Sequence, residues 1–154
     1  MTMTVAKIHL APRERQVVEG MANGSTLADV AADLKIKVGT ASGYLKLAKA
    51  KLHGVTEIEA ALAVGYATEA ITRPDLLDPE GLNLPKEQRE LVPLISQGMT
   101  SAQMAAKLKR QYDVINRDSQ DLLSNLGAKN RAHAVKRAWQ YRILTADRVI
   151  AWLR

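Results

Sequence analysis

The sequence predicts a wholly α-helical protein built from two four-helix units in tandem, followed by one further helix at the C-terminus. Three observations carry this expectation. Hydrophobic residues make up 47% of the 154 positions but aromatics only 4%, with no Phe, so the core must be built from Leu, Ala, Val, Ile and Met, which favours helices over strands. The chain matches itself without insertion at an offset of 74 residues. Helix start and stop signals fall at the same places in both copies.

By length alone, 154 residues sit near one ordinary domain, and the self-match overrides that expectation. The first copy begins LAPRERQVVEG at Leu10 and the second LPKEQRELVPL at Leu84. Arg15 meets Arg89, Val18 meets Val92 and Gly24 meets Gly98. Ala28, Ala31, Ala32 and Leu34 meet Ala102, Ala105, Ala106 and Leu108. Further on, Leu52 meets Leu126 and Ala60 meets Ala134. The expected organisation is a first unit at 10–66, an acidic linker at 67–83, a second unit at 84–141 and a C-terminal helix at 144–154. The linker carries Pro74, Pro79, Gly81 and four acids against one Arg, and a short helical turn is expected around Leu76 and Leu77.

Each element has a local reason. Pro12 suits a first helical position and opens a helix that Asn23 and Gly24 close. Thr26, three residues before Asp29, caps a short second helix ending near Leu34. A third helix is expected from Val38 to Leu52. Thr56 and Glu59 would then cap a fourth, ending near Gly65. The second copy repeats the scheme, with Thr100 and Gln103 capping its second helix and Asn130 its fourth. Pro93 should kink or shorten its first helix. Thr145 caps the last helix, which carries Val149, Ile150 and Leu153 on one face with Trp152 nearby. That helix either covers the second unit or forms a dimer surface.

The short second helix, the tight turn and the longer third helix make a helix-turn-helix pattern. Ala28, Ala31 and Ala32, with their counterparts Ala102, Ala105 and Ala106, suit close packing of the paired helices. With these residues in place, the chain resembles two tandem LuxR/GerE-type helix-turn-helix domains, the output module of many bacterial transcription regulators. Their opening stretch is similar to LAPRERQ at 10–16 and more loosely to LPKEQRE at 84–90. The core motif is similar to VAADL at 30–34 and MAAKL at 104–108. The family's ending is clear in NLGAKNRAHAV at 125–135, against KLHGVTEIEAA at 51–61. About three quarters of the chain is covered.

The resemblance implies that each third helix enters the major groove of DNA and that the fourth commonly makes the dimer contact. Its base-reading positions fall on Ser42, Gly43 and Lys46 in the first copy, and on Asn116, Arg117 and Gln120 in the second. The family's usual basic residue is absent at both Ser42 and Asn116. Arg suits guanine, while Asn or Gln suits adenine. Expected phosphate contacts are Lys35, Lys37 and Lys49 in the first copy, and Lys107, Lys109, Arg110 and Arg131 in the second. Val149, Ile150, Trp152 and Leu153 form the candidate dimer surface.

Charge separates the copies. The formal net charge is +6: Lys7, ahead of the first unit, contributes +1, the first unit +1, the linker −3, the second unit +5 and the segment after it +2. The second unit therefore carries the stronger phosphate footprint. The first copy either grips DNA or packs against protein. With no Cys and only His9, His53 and His133 scattered along the chain, neither a thiolate zinc site nor a metal cluster is expected, and no cofactor. No nucleophile–base set or phosphate loop is present, so an enzyme is not expected. The start lacks a leader's apolar run and no stretch approaches 18 apolar residues, so the expectation is a soluble cytoplasmic chain that does not engage a membrane. The function expected is sequence-specific double-stranded DNA binding in transcription regulation. The rival is an adaptor in which one or both units bind a partner regulator or RNA polymerase.

Overall fold

The computed structural model describes residues 6–153; the leader reading falls partly on 1–5, and the last helix was expected to include Arg154, both outside the described residues. Among the described residues the protein is all-α, with ten α-helices, one 3-10 turn and no strand. The helices are α1 Pro12–Ala22, α2 Leu27–Leu34, α3 Val38–Lys51, α4 Ile58–Ala67, α5 Lys86–Arg89, α6 Leu91–Ser96, α7 Ser101–Leu108, α8 Tyr112–Leu126, α9 Arg131–Gln140 and α10 Ala146–Leu153.

Their boundaries recur 74 residues apart: α2 falls on α7, α3 on α8, α4 on α9 and α1 on α5 plus α6, within a residue at each end. The caps recur too. Thr26 Oγ1 accepts from the Asp29 N–H at 3.1 Å, as Thr100 Oγ1 does from Gln103 at 3.1 Å. Gly24 and Gly98 both close their helices at positive φ, +86° and +85°. Asn130 caps α9 by accepting from the His133 N–H at 2.9 Å.

Three local expectations need correction. Thr56 does not cap α4, whose N-cap is Glu57 without a side-chain hydrogen bond. Gly65 does not end α4, which continues to Ala67. Gly65 is where the chain folds back instead: Ile71 lies so close that a Cβ there would sit 3.0 Å from its side chain, and Ala70 N–H donates to Gly65 O at 2.9 Å. No helical turn forms at Leu76 and Leu77. That segment is strapped to the end of α9, with Leu77 N–H donating to Gln140 O at 2.8 Å and Gln140 Nε2 donating to Asp75 O at 3.1 Å. The only helical turn of the linker is 3-10 at Pro79–Gly81, capped by Asp78. Pro93 has the expected effect: it lacks an N–H for the Arg89 carbonyl and its ring crowds that group, and the helix divides there into α5 and α6.

The two copies share one core rather than sitting apart on a linker. From Ala60 to Ala67 every residue of α4 is buried, and its small side chains admit α1, α6, α9 and α10 around it. Contacts between the copies are reciprocal. A Cβ on Gly24 would meet Lys129 Cβ at 3.0 Å, and one on Gly98 would meet Glu57 Cβ at 2.7 Å. The end of the first helix in each copy thus abuts the start of the fourth helix of the other, as in a two-fold-related pair. Asn130 Nδ2 donates to Gly24 O at 3.1 Å, and the Tyr66 and Trp139 rings lie 5.4 Å apart.

The last helix does not cover the second copy alone. It crosses to α4 of the first, burying Val149 and Ile150 within the monomer. A dimer through those two residues would require α10 to detach. Trp152 and Leu153, half-buried, are what remains of the expected dimer surface.

Candidate nucleic-acid interface

The α2–α3 and α7–α8 pairs are each joined through a lysine in the left-handed region, Lys35 at φ 58° and Lys109 at φ 56°. Glycine is the usual residue in that conformation, and an L side chain there costs about 1 kcal/mol. Both copies accept this strain and keep an exposed ammonium at the turn.

The inner face of α2 is Leu27, Val30, Ala31 and Leu34, at spacings of three and four. Ala28 and Ala32 are therefore exposed, as are Ala102 and Ala106. Of the alanines expected between the paired helices, Ala31 is buried and Ala105 half-buried; the others flank the turn as smooth surface.

The third helices are held by the same device in two chemistries. Lys51 Nζ donates to Glu14 Oε1 at 2.8 Å, tying the end of α3 to α1. Seventy-four residues on, Asn125 Nδ2 donates to Gln88 Oε1 at 2.8 Å, tying α8 to α5. Burial pushes the Glu14 carboxyl up, but the hydrogen bond from Lys51, the Ala11 N–H and the Lys51 charge outweigh it and leave it below its ordinary value.

Ala41, Leu45 and Ala48 bury the inner face of α3; Ile115, Ser119, Leu122 and Leu126 bury that of α8. The outer faces each present two ridges at four-residue spacing. On α8 these are Tyr112, Asn116, Gln120 and Asp113, Arg117, Asp121; all are exposed except Asn116, which is half-buried. On α3 they are Val38, Ser42, Lys46 and Gly39, Gly43, Leu47, all exposed. All six residues expected to read bases therefore lie on these outer faces. Val38 is 50% exposed, Leu47 53% and Tyr112 53%. Those three were not foreseen as surface features, although the 74-residue register pairs Val38 with Tyr112 and Leu47 with Asp121.

Lys35, Lys37, Lys107 and Lys109 are exposed, Lys49 is half-buried, and none of the five forms an ion pair among the described residues. Arg110 and Arg131 stand differently. Arg110 is ion-paired with Glu90 and donates to Glu87 O. Arg131 donates to Met99 O at 3.3 Å and Ser101 Oγ at 2.6 Å. Both guanidiniums brace the second copy from within.

No cluster of three or more His, Cys, Asp or Glu side chains that could hold a metal occurs among the described residues. Nor is any described helix long and apolar enough to cross a membrane. No family model, curated protein or solved structure matches the chain. What fold and site define is a class: an all-α chain with an internal 74-residue recurrence and two exposed, cation-flanked third helices.

Proposed function

We propose that the protein is a sequence-specific double-stranded DNA-binding transcription regulator in which two LuxR-like helix-turn-helix units act as a covalent pseudo-dimer. The observation that carries this reading is the doubled turn: a strained, exposed lysine at the same place before each third helix, followed by an outward face of unpaired side chains. The third helices α3 and α8 would enter successive major grooves about 34 Å apart. Lys35, Lys37, Lys49, Lys107 and Lys109 would contact phosphates, and Ser42, Gly43, Lys46, Asn116, Arg117 and Gln120 would face base edges. The packing of α4 on α9 supports the reading, since the resemblance assigns the dimer contact to the fourth helix. Homodimers of the whole chain would leave Trp152 and Leu153 as contacts. The setting would be the bacterial cytoplasm, at the nucleoid when DNA is bound.

Selection from random duplexes at two salt concentrations tests the proposal. An enriched motif is the expected result; binding that falls steeply with salt and enriches no motif would reject specific readout. Arg117→Ala should relax base preference in one half of the motif, whereas Lys109→Ala should weaken all duplexes alike. The adaptor reading, with a partner regulator or RNA polymerase, draws on the exposed Val38 and Leu47 of α3. It predicts no motif and no effect of Arg117→Ala on any duplex.

A further inference from the structure

The two outer faces, superposed by the 74-residue register, differ in kind. Where α8 presents Asp113, Arg117 and Asp121, α3 presents Gly39, Gly43 and Leu47, a ridge with no side-chain hydrogen-bonding group. Nothing in the protein explains these glycines. A Cβ on either would meet no atom within 4 Å, and neither has positive φ. Glycine weakens a helix relative to alanine, so both positions give up helix stability with no internal gain. Leu47 leaves half its apolar surface in water at the end of the same ridge, although core positions lie one residue away at Ala48 and two at Leu45.

An apolar ridge can neither accept from nor donate to a base edge. In the major groove the one base group it can recognise is the C5 methyl of thymine. Gly43, lacking a side chain, would let that methyl approach the helix backbone, and Leu47 would cover it. Around the ridge the charge is positive, with Lys35, Lys37 and Lys46 exposed and free of ion pairs, which complements a phosphate backbone.

We infer that the DNA target is chemically asymmetric: α3 recognises a thymine-containing half-site through methyl contact at Gly43 and Leu47, while α8 reads its half-site through the hydrogen-bonding groups of Asn116, Arg117 and Gln120. This rests on the duplex-DNA reading above and deepens it by naming what the first copy recognises.

The test uses the full chain and the duplex enriched from the random pool. Arg117→Ala identifies the half lying under α8. Thymines of either half are then replaced by deoxyuridine, which removes only the methyl groups. The expected result is a loss of about fourfold in affinity per contacted thymine in the α3 half, and none in the other. In Leu47→Ala that loss should shrink towards none; the residue is 53% exposed, so the fold does not depend on it, as helix circular dichroism would verify. A motif whose two halves are equally indifferent to deoxyuridine overturns this inference and leaves DNA reading intact. A deoxyuridine penalty unchanged in Leu47→Ala also overturns it. Failure to enrich any motif overturns the DNA reading itself, and this inference with it.

Discussion

Glu14 and Lys51 are an ion pair; Gln88 and Asn125, in the same place of the other copy, are two amides joined at the same 2.8 Å. The pair was legible in principle, because the 74-residue register maps Glu14 to Gln88 and Lys51 to Asn125. It was missed because neither residue type announces a partner 37 positions away. Since the fold accepts both chemistries, the charge is replaceable only as a pair. Glu14→Gln should destabilise by about 1 kcal/mol, well short of a fully buried pair's cost because Lys51 is 45% exposed and water screens it. Glu14→Gln with Lys51→Asn should regain most of that loss in denaturant titration; a double variant weaker than the single would separate the two sites. Because the Glu14 carboxyl is held below its ordinary 4.5, its stabilisation is fully present above that pH and is lost as acid protonates it. This part of the acid sensitivity should vanish in the double variant. His133 adds a second acid-sensitive contribution. Burial first, then the charges of Arg137, Lys136 and Lys129, hold its pKa below 6.5. The stability from its neutral ring is therefore complete above about pH 6.5 and falls as the pH drops below it, and His133→Gln should flatten that decline in thermal melts.

At the level of elements, what could be read in advance was whatever has a local cause. Pro12, Thr26, Thr100, Asn130 and Pro93 act on their own helix, and each acted as its chemistry requires. The misreadings have tertiary causes. The extent of α4 is set by Ile71 folding over Gly65, and the path of Leu76 and Leu77 by hydrogen bonds to α9. Orientation around a helix stands between these cases: the six base-facing candidates point outwards as expected, but two of the three alanines expected inside each pair point outwards as well. The core face of α8 carries a polar group that is left unsatisfied. Ser119 on α8 occupies the position of Leu45 on α3, and its buried hydroxyl has no hydrogen-bond partner. Ser119→Ala should raise stability by about 1 kcal/mol, since it removes an unsatisfied buried group and adds a better helix former at equal volume. An unchanged or lowered denaturation midpoint would mean the hydroxyl is bonded. On the proposed DNA-binding reading, affinity for the selected duplex should be unaffected, because the residue faces away from the outer ridges.

For the whole molecule, the two copies form one structure rather than two. The acidic segment at 67–83 looked like a spacer because its composition differs from both flanks, yet α4 is enclosed partly by α6, α9 and α10, all from beyond that segment. A first copy cut free would expose one whole side of a helix made of Ala, Leu, Val and Tyr. Sequence comparison finds the repeat but not the interface, because α4 and α9 meet through residues that would be equally at home inside separate units. A shared core has a measurable consequence. Trp139 lies in the second copy and Trp152 in α10 beyond it, so fluorescence follows the part of the chain after the linker, whereas helix circular dichroism follows both copies. The two signals should trace one coincident unfolding transition. Gly98→Ala sharpens the test, because the position has φ +85° and its new Cβ would stand 2.7 Å from Glu57 Cβ of the other copy. Left-handed strain and that clash together should cost about 2 kcal/mol. Although Gly98 belongs to the second copy, both signals should shift by the same amount, since Glu57 and α4 cannot yield without disturbing the common core. If fluorescence shifted while part of the helix signal kept its original midpoint, the first copy would be folding on its own.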